Sequence, residues 1–206
     1  MTDAAQPDAQ VQAEADIVLL GFWIFLMSDA VLFGLAFSSY AILLDATAGG
    51  PGPRDLFSLP GVLLQTLLLL TSSFTCALAV LAWRFGAADP RGAAHGRRRL
   101  LFWLGVTLLL GIAFLGFELR DFAGMIAQGA GPGRSAYLSA FFGLVPLHGL
   151  HVAAGCLWLL VLWVQLQVHG PDGAMGLGLR RLALYWHFLD IVWIAIFTFV
   201  YLAGLA

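Results

Sequence analysis

Lysine is absent from this 206-residue chain; all ten basic residues are arginine. No single site demands that choice, and codon usage accounts for it. Charge of either sign is scarce, at 11% of residues, against 61% hydrophobic residues and a mean hydropathy of +0.90. A soluble domain of this size could not hide so much apolar surface, so the composition is that of an integral membrane protein. The net charge of -2 leaves no basic footprint for a nucleic-acid partner. Only two cysteines occur, Cys76 and Cys156, both inside apolar runs. They read as small packing residues, without a disulfide framework or thiolate metal spacing. Also missing are a nucleophile with a base beside it and a glycine loop that would cradle phosphate. These absences argue against chemistry carried by this chain alone.

What is present is a set of five apolar stretches, at about residues 17–44, 61–85, 100–120, 137–168 and 181–205. Each has the length of a membrane crossing, which predicts an all-α membrane protein, a five-helix transmembrane bundle over residues 16–206. Residues 1–15 are polar, acidic and rich in Ala and Gln, without the basic start and cleavage site of a signal peptide; they read as a disordered tail. Breakers separate the spans: Gly49-Gly50-Pro51, Gly131-Pro132-Gly133 and Gly170-Pro171. Five crossings put the termini on opposite sides. Arg84, Arg91, Arg97, Arg98, Arg99, Arg180 and Arg181 fall on the N-terminal side, and Arg54, Arg120 and Arg134 on the other. That imbalance predicts a cytoplasmic N-terminus and a periplasmic C-terminus. Arg97, Arg98 and Arg99 are expected to lie against anionic headgroups. Ala30, Gly34 and Ser38 recur every four residues, a stripe on which a neighbouring helix can approach closely. No internal repeat is visible, which speaks against an inverted-repeat transporter.

Six acidic or histidine residues inside the spans are the site candidates: Asp29, Glu118, His148, His151, His187 and Asp190. Such groups cost free energy unless they face protein, water or a partner charge. His187 and Asp190, three residues apart, project from one face of the last helix. His148 and His151 share a face with Gly155, after Pro146, which is expected to kink their helix. Haem pairs and di-iron sites recruit more histidines or paired carboxylates than this, so no metal ligand is assigned. Asp29 reads either as a neutral, hydrogen-bonded structural acid or as a proton-handling one. Glu118 lies roughly 27 Å along its helix from Leu100 and is expected near the outer interface. Because the third and fourth spans are expected to be antiparallel neighbours, Glu118 is the expected partner of the His148/His151 face. The competing partners for His151 are Asp29 and Asp190. These residues alone leave open a small independent proton or solute transporter using Asp29, His187 and Asp190, and a haem- or metal-containing membrane enzyme.

Several stretches together resemble one family. Gly21-Phe22-Trp23-Ile24 leading to Met27-Ser28-Asp29-Ala30-Val31-Leu32-Phe33 resembles the buried-acid segment of haem-copper oxidase subunit III. Ser139-Ala140-Phe141-Phe142 with His148-Gly149-Leu150-His151-Val152 is similar to its paired-histidine helix. Trp186-His187-Phe188-Leu189-Asp190-Ile191-Val192-Trp193 resembles its final-helix signature. Thr47-Ala48-Gly49-Gly50-Pro51 and Gly131-Pro132-Gly133-Arg134-Ser135 resemble the cytochrome o ubiquinol oxidase branch. The likeness runs in order over about residues 17–205.

The resemblance implies a non-catalytic accessory subunit with no cofactor of its own. Haem and copper would sit in a larger partner subunit, against which this chain packs in a bacterial inner (plasma) membrane. It implies five spans, the form of the quinol oxidase branch, and bound phospholipid. The complex would oxidise ubiquinol, reduce dioxygen to water and translocate protons in aerobic respiration, with this chain supporting assembly and turnover stability. Within the family the acid at the position of Asp29 is associated with proton uptake; the cytochrome c branch has Glu where this chain has Asp.

Overall fold

A computed structural model describes residues 5–56, 58–88, 93–170 and 173–205. Among them five helices are long and apolar enough to cross a membrane: Ala13–Ile42, Leu59–Gly86, His95–Ala127, Ala136–His169 and Met175–Leu205, called here the first to fifth spans. The expectation of an all-helical five-span bundle is met; several boundaries move. The first helix begins at Ala5, within the stretch read from composition as a tail. The third span runs on to Ala127 where its apolar pattern suggested an end near residue 120. Arg120 and Asp121 do not stop it, because a helix satisfies its own backbone and both side chains are exposed. The stop comes where Gly129 takes φ 75°. There the Gly129 N–H donates to Ile126 O and the Ala130 N–H to Met125 O, 2.9 Å, with Met125 and Ala130 buried. This is a Schellman end.

The fourth span starts at Ser135, whose hydroxyl accepts from the Leu138 N–H at 3.2 Å. It continues through Pro146 to His169 as one helix. The fifth ends in a π-helical turn, Phe197–Leu202, before Ala203–Leu205. A four-residue helix, Pro53–Leu56, lies in the loop after the first span.

The second and third spans form an antiparallel hairpin closed at its base by two glycines. A Cβ on Gly96 would lie 2.8 Å from Gly86 Cα, so the backbones meet where no side chain intervenes. The third also packs on the fourth, as expected for neighbours joined by a short loop. The fifth touches the first, second and fourth spans, while the first packs on the fourth and fifth. The fifth span is thus the hub. Its Trp186 indole fits a slot whose floors are Gly111 and Gly155: a Cβ on either would come to 3.0 Å of the ring. The Trp186 Nε1–H donates to Ser72 Oγ and the Trp193 Nε1–H to Thr66 Oγ1, both at 3.0 Å, tying the fifth span to the second.

Two expectations are revised in part here. Gly34 and Ser38 face outward, and nothing lies within 4 Å of a Cβ built on Gly34, so the small-residue stripe is not a contact within the chain. The inward face is instead Leu26, Asp29, Phe33 and Tyr40, because the space between the fourth and fifth spans needs large side chains. Phe33 fills it, with ring centroids 5.1 Å from His151 and 6.3 Å from Phe188.

Arg97 does not reach for headgroups. Its Nη2 donates to Leu166 O at 3.1 Å and Gln167 O at 2.8 Å, and its Nε to Leu166 O at 3.3 Å. A guanidinium on the carbonyls at the end of the fourth span satisfies acceptors that the helix leaves free and opposes its dipole. Arg98 and Arg99 remain exposed. Arg97→Gln is expected to lower local stability by about 1 kcal/mol. Hydrogen exchange should then quicken in residues 165–169 and not around Pro146; unchanged exchange there would remove the cap.

Candidate functional site: a polar belt at mid-membrane

The ionisable residues converge in depth. Asp29, His151, His187 and Asp190 lie near the centres of their spans, and Ser73 does so in the second. Helices that cross at similar tilt therefore bring them to one layer of the bilayer, where hydrocarbon offers no hydrogen bond.

The first and fourth spans meet at Asp29 and His151, with Oδ2 3.8 Å from Nε2. The His151 Nδ1 lies 2.7 Å from Leu147 O, one turn back. A carbonyl only accepts, so Nδ1 carries the proton of that bond. Nε2 then presents a lone pair unless the ring is cationic. At 3.8 Å the two face each other without a hydrogen bond, and Asp29 Oδ2 has no partner among the described residues. Asp29 is 8% exposed and faces protein. The Tyr185 hydroxyl donates to His151 O at 2.9 Å, fixing this part of the fourth span against the fifth.

His148 plays a different part. Its Nε2 donates to Leu189 O at 3.2 Å, its Nδ1 has no partner among the described residues, and the ring is fully buried. Trp193, Phe114 and Phe33 surround it at centroid separations of 5.3, 5.9 and 6.4 Å. This is an imidazole used as an aromatic with one donor, joining the fourth span to the fifth.

The second and fifth spans meet at Ser73, His187 and Asp190. Ser73 Oγ is 2.6 Å from His187 Nδ1, and the Asp190 carboxylate lies beside the same hydroxyl. Asp190 is 6% exposed, and its Oδ1 has no partner. The spacing of three does bring His187 and Asp190 together, through a serine on the neighbouring helix.

Glu118 departs furthest from expectation. It is 3% exposed, not interfacial, because the third span continues nine residues beyond it. It bonds neither imidazole, so the expected pairing with His148 and His151 fails. The two rings turn toward Leu189 and Asp29, leaving Gly149 as the surface that meets the third span. A Cβ on Gly149 would lie 3.0 Å from Glu118 Cδ, so the missing side chain makes room for the carboxyl. Glu118 Oε1 has no partner. Three further residues matter that sequence reading left as background: Ser73, Gly149 and Gln65, whose Nε2–H donates to Asp121 Oδ2 at 2.6 Å. Ser73 and Gln65 could have been found as polar residues at matched depth; Gly149 stood within a noted motif, but its partner needed three dimensions.

Among the described residues no three His, Cys, Asp or Glu side chains converge as a metal set. The belt locks helices together through the Ser73–His187, His148–Leu189 and Tyr185–His151 bonds, and its acids and imidazoles can each hold a proton.

Comparison with known proteins extends over this whole bundle. Cytochrome bo(3) ubiquinol oxidase subunit 3 of Pseudomonas aeruginosa is 51% identical over 186 residues, covering 90% of this chain and 85% of that protein. Quinol oxidase subunit 3 of Bacillus subtilis is 43% identical over 187 residues, 91% of this chain and 87% of that one. Cytochrome c oxidase subunit 3 of a Bacillus species is 39% identical over 204 residues, 99% of this chain and 94% of the relative. The family described as cytochrome c oxidase subunit III matches residues 8–205, which include every span and every member of the polar belt, so the chain belongs to that family.

Proposed function

We propose that this chain is an accessory subunit of a ubiquinol-oxidising, dioxygen-reducing, proton-translocating terminal oxidase of a bacterial inner membrane. The carrying observation is the 51% identity, over 90% of the chain, to a protein named as subunit 3 of a cytochrome bo(3) ubiquinol oxidase. Haem and copper then belong to a larger partner subunit, and phospholipid accompanies the chain in the complex. The excess of arginines in the loops on the N-terminal side supports a cytoplasmic N-terminus and a periplasmic C-terminus. Within this reading Asp29 and His151 form a proton-holding pair between the first and fourth spans, and the other belt residues set helix positions. The independent-transporter reading is not favoured, because the family match and a relative matched over 90% of the chain are oxidase subunits.

Purification from native membranes under mild detergent tests the assignment. The chain is expected to co-elute with a haem-bearing larger subunit and quinol oxidase activity; elution as a colourless oligomer of this chain alone would overturn it. In that complex Asp29→Asn, which keeps the shape but not the charge, is expected to leave assembly intact. Quinol oxidation should slow, or inactivation during turnover hasten, by several-fold. Unchanged rate and lifetime would reduce Asp29 to a structural acid.

A further inference from the structure

The Ser73–His187 hydrogen bond leaves half of the imidazole unaccounted for. His187 commits Nδ1 to Ser73, while its Nε2 has no hydrogen-bond partner among the described residues and the ring is only part-buried. The ring lies on the outward side of the fifth span, in a stripe that steps by threes and fours through Leu184, His187, Ile191, Ile194 and Thr198. Ile191 is 67% and Ile194 45% exposed. The depth is mid-membrane, so the part of the ring that the chain leaves uncovered meets hydrocarbon or another protein.

Other outward hydroxyls show how this chain prepares a polar group for lipid. Ser28, Ser38, Ser39 and Thr198 each bond a carbonyl of their own helix, Phe25, Gly34, Leu35 and Ile194 respectively, at 2.7 to 2.9 Å. An imidazole cannot satisfy its second nitrogen that way once the first is held by Ser73. His187 therefore needs a partner from outside.

That bond also specifies the partner's chemistry. Where Ser73 donates to Nδ1, the neutral ring carries its proton on Nε2, which donates; where Nδ1–H donates to Ser73, Nε2 accepts. An outside group that both donates and accepts serves either tautomer, which suits a hydroxyl or an amide and not a carboxylate or an ammonium.

We infer that the outward stripe of the fifth span centred on His187 docks a transmembrane helix of a partner subunit, one that sets a hydroxyl or amide side chain against His187 Nε2 at mid-membrane. The inference rests on the proposed role as an oxidase subunit and names the face used.

A photoreactive benzophenone side chain placed at Ile191 tests it in the assembled complex, with Ile112 on the third span as control; both positions are more than half exposed. Irradiation is expected to join this chain to the large subunit from position 191 in higher yield than from position 112. Adducts from 191 to lipid alone or to a second copy of this chain, or equal yields from both positions, overturn the docking face. Alongside, His187→Leu is expected to weaken retention in the complex about tenfold, the scale of one interhelical hydrogen bond in a membrane, while His187→Gln, which can donate and accept, retains it. Full retention of the Leu variant overturns the polar contact. Where both variants fail to assemble, cross-linking from position 191, which leaves His187 intact, decides. Unsubstituted chain that does not co-purify with a haem-bearing subunit defeats the functional reading itself; co-purification without a cross-link from 191 defeats only the face.

Discussion

Trp186→Ala is expected to remove about 3 kcal/mol of folding stability, a large share of what a single domain has. The indole lies between Gly111 of the third span and Gly155 of the fourth, and its N–H reaches Ser72 of the second, so one side chain contacts three helices. Truncation opens a cavity whose glycine walls have no side chains to move into it, and it strips Ser72 Oγ of a donor. The estimate sits at the low end for a buried tryptophan because the unfolded reference is itself in lipid, where apolar transfer contributes little. Packing and the hydrogen bond make up the loss. Reversible unfolding in detergent, or steric trapping in bilayers, measures it. A change under about 0.5 kcal/mol would mean that the slot collapses freely, contrary to two helical backbones held apart by their other contacts.

Gly149→Ala is the second large effect. One methyl group would be driven into the Glu118 carboxyl, which is buried and has Oε1 already without a partner. Overpacking of this kind costs about 1–3 kcal/mol, and the polar target leaves no apolar compensation. A double-mutant cycle gives the decisive readout. In a Glu118→Ala background the same alanine should cost less than half as much, because the obstructing group is gone. Equal cost in both backgrounds would place the strain in the helix itself and not at the carboxyl.

How far the sequence led depended on which physical rule governed each element. The five spans were legible because hydrocarbon thickness sets their length and composition. The pairing of the third span with the fourth followed from their short connection, and the meeting of His187 with Asp190 from helical spacing. The end of the third span was not legible. Arg120-Asp121 looks like a membrane boundary, yet both are exposed side chains on a helix that runs to Ala127. That misplacement carried Glu118 to the surface on paper, whereas it is buried against Gly149. The outward turn of Gly34 and Ser38 was equally hidden, since small residues mark close approach without saying whose. Which side of His148 faces which helix depends on the rotation of three helices about their axes, and apolar periodicity in a membrane bundle reports rotation poorly because lipid and core are both apolar.

The packing order of the spans also implies an order in time. The second and third, locked where Gly86 meets Gly96, are neighbours in both sequence and space and can pair as soon as they leave the ribosome. The first span is synthesised before them but packs on the fourth and fifth. It therefore enters the bilayer first and has no helix to dock on until the fourth span is made. Until His151 is made, Asp29 has no counterpart, so during biogenesis the oldest helix holds a solitary acid at mid-depth. A chain truncated before the fourth span would never relieve it. Such a nascent helix is a natural client for insertases while it waits and for membrane proteases if the wait fails, which ties survival of this subunit to completion of its own C-terminal half.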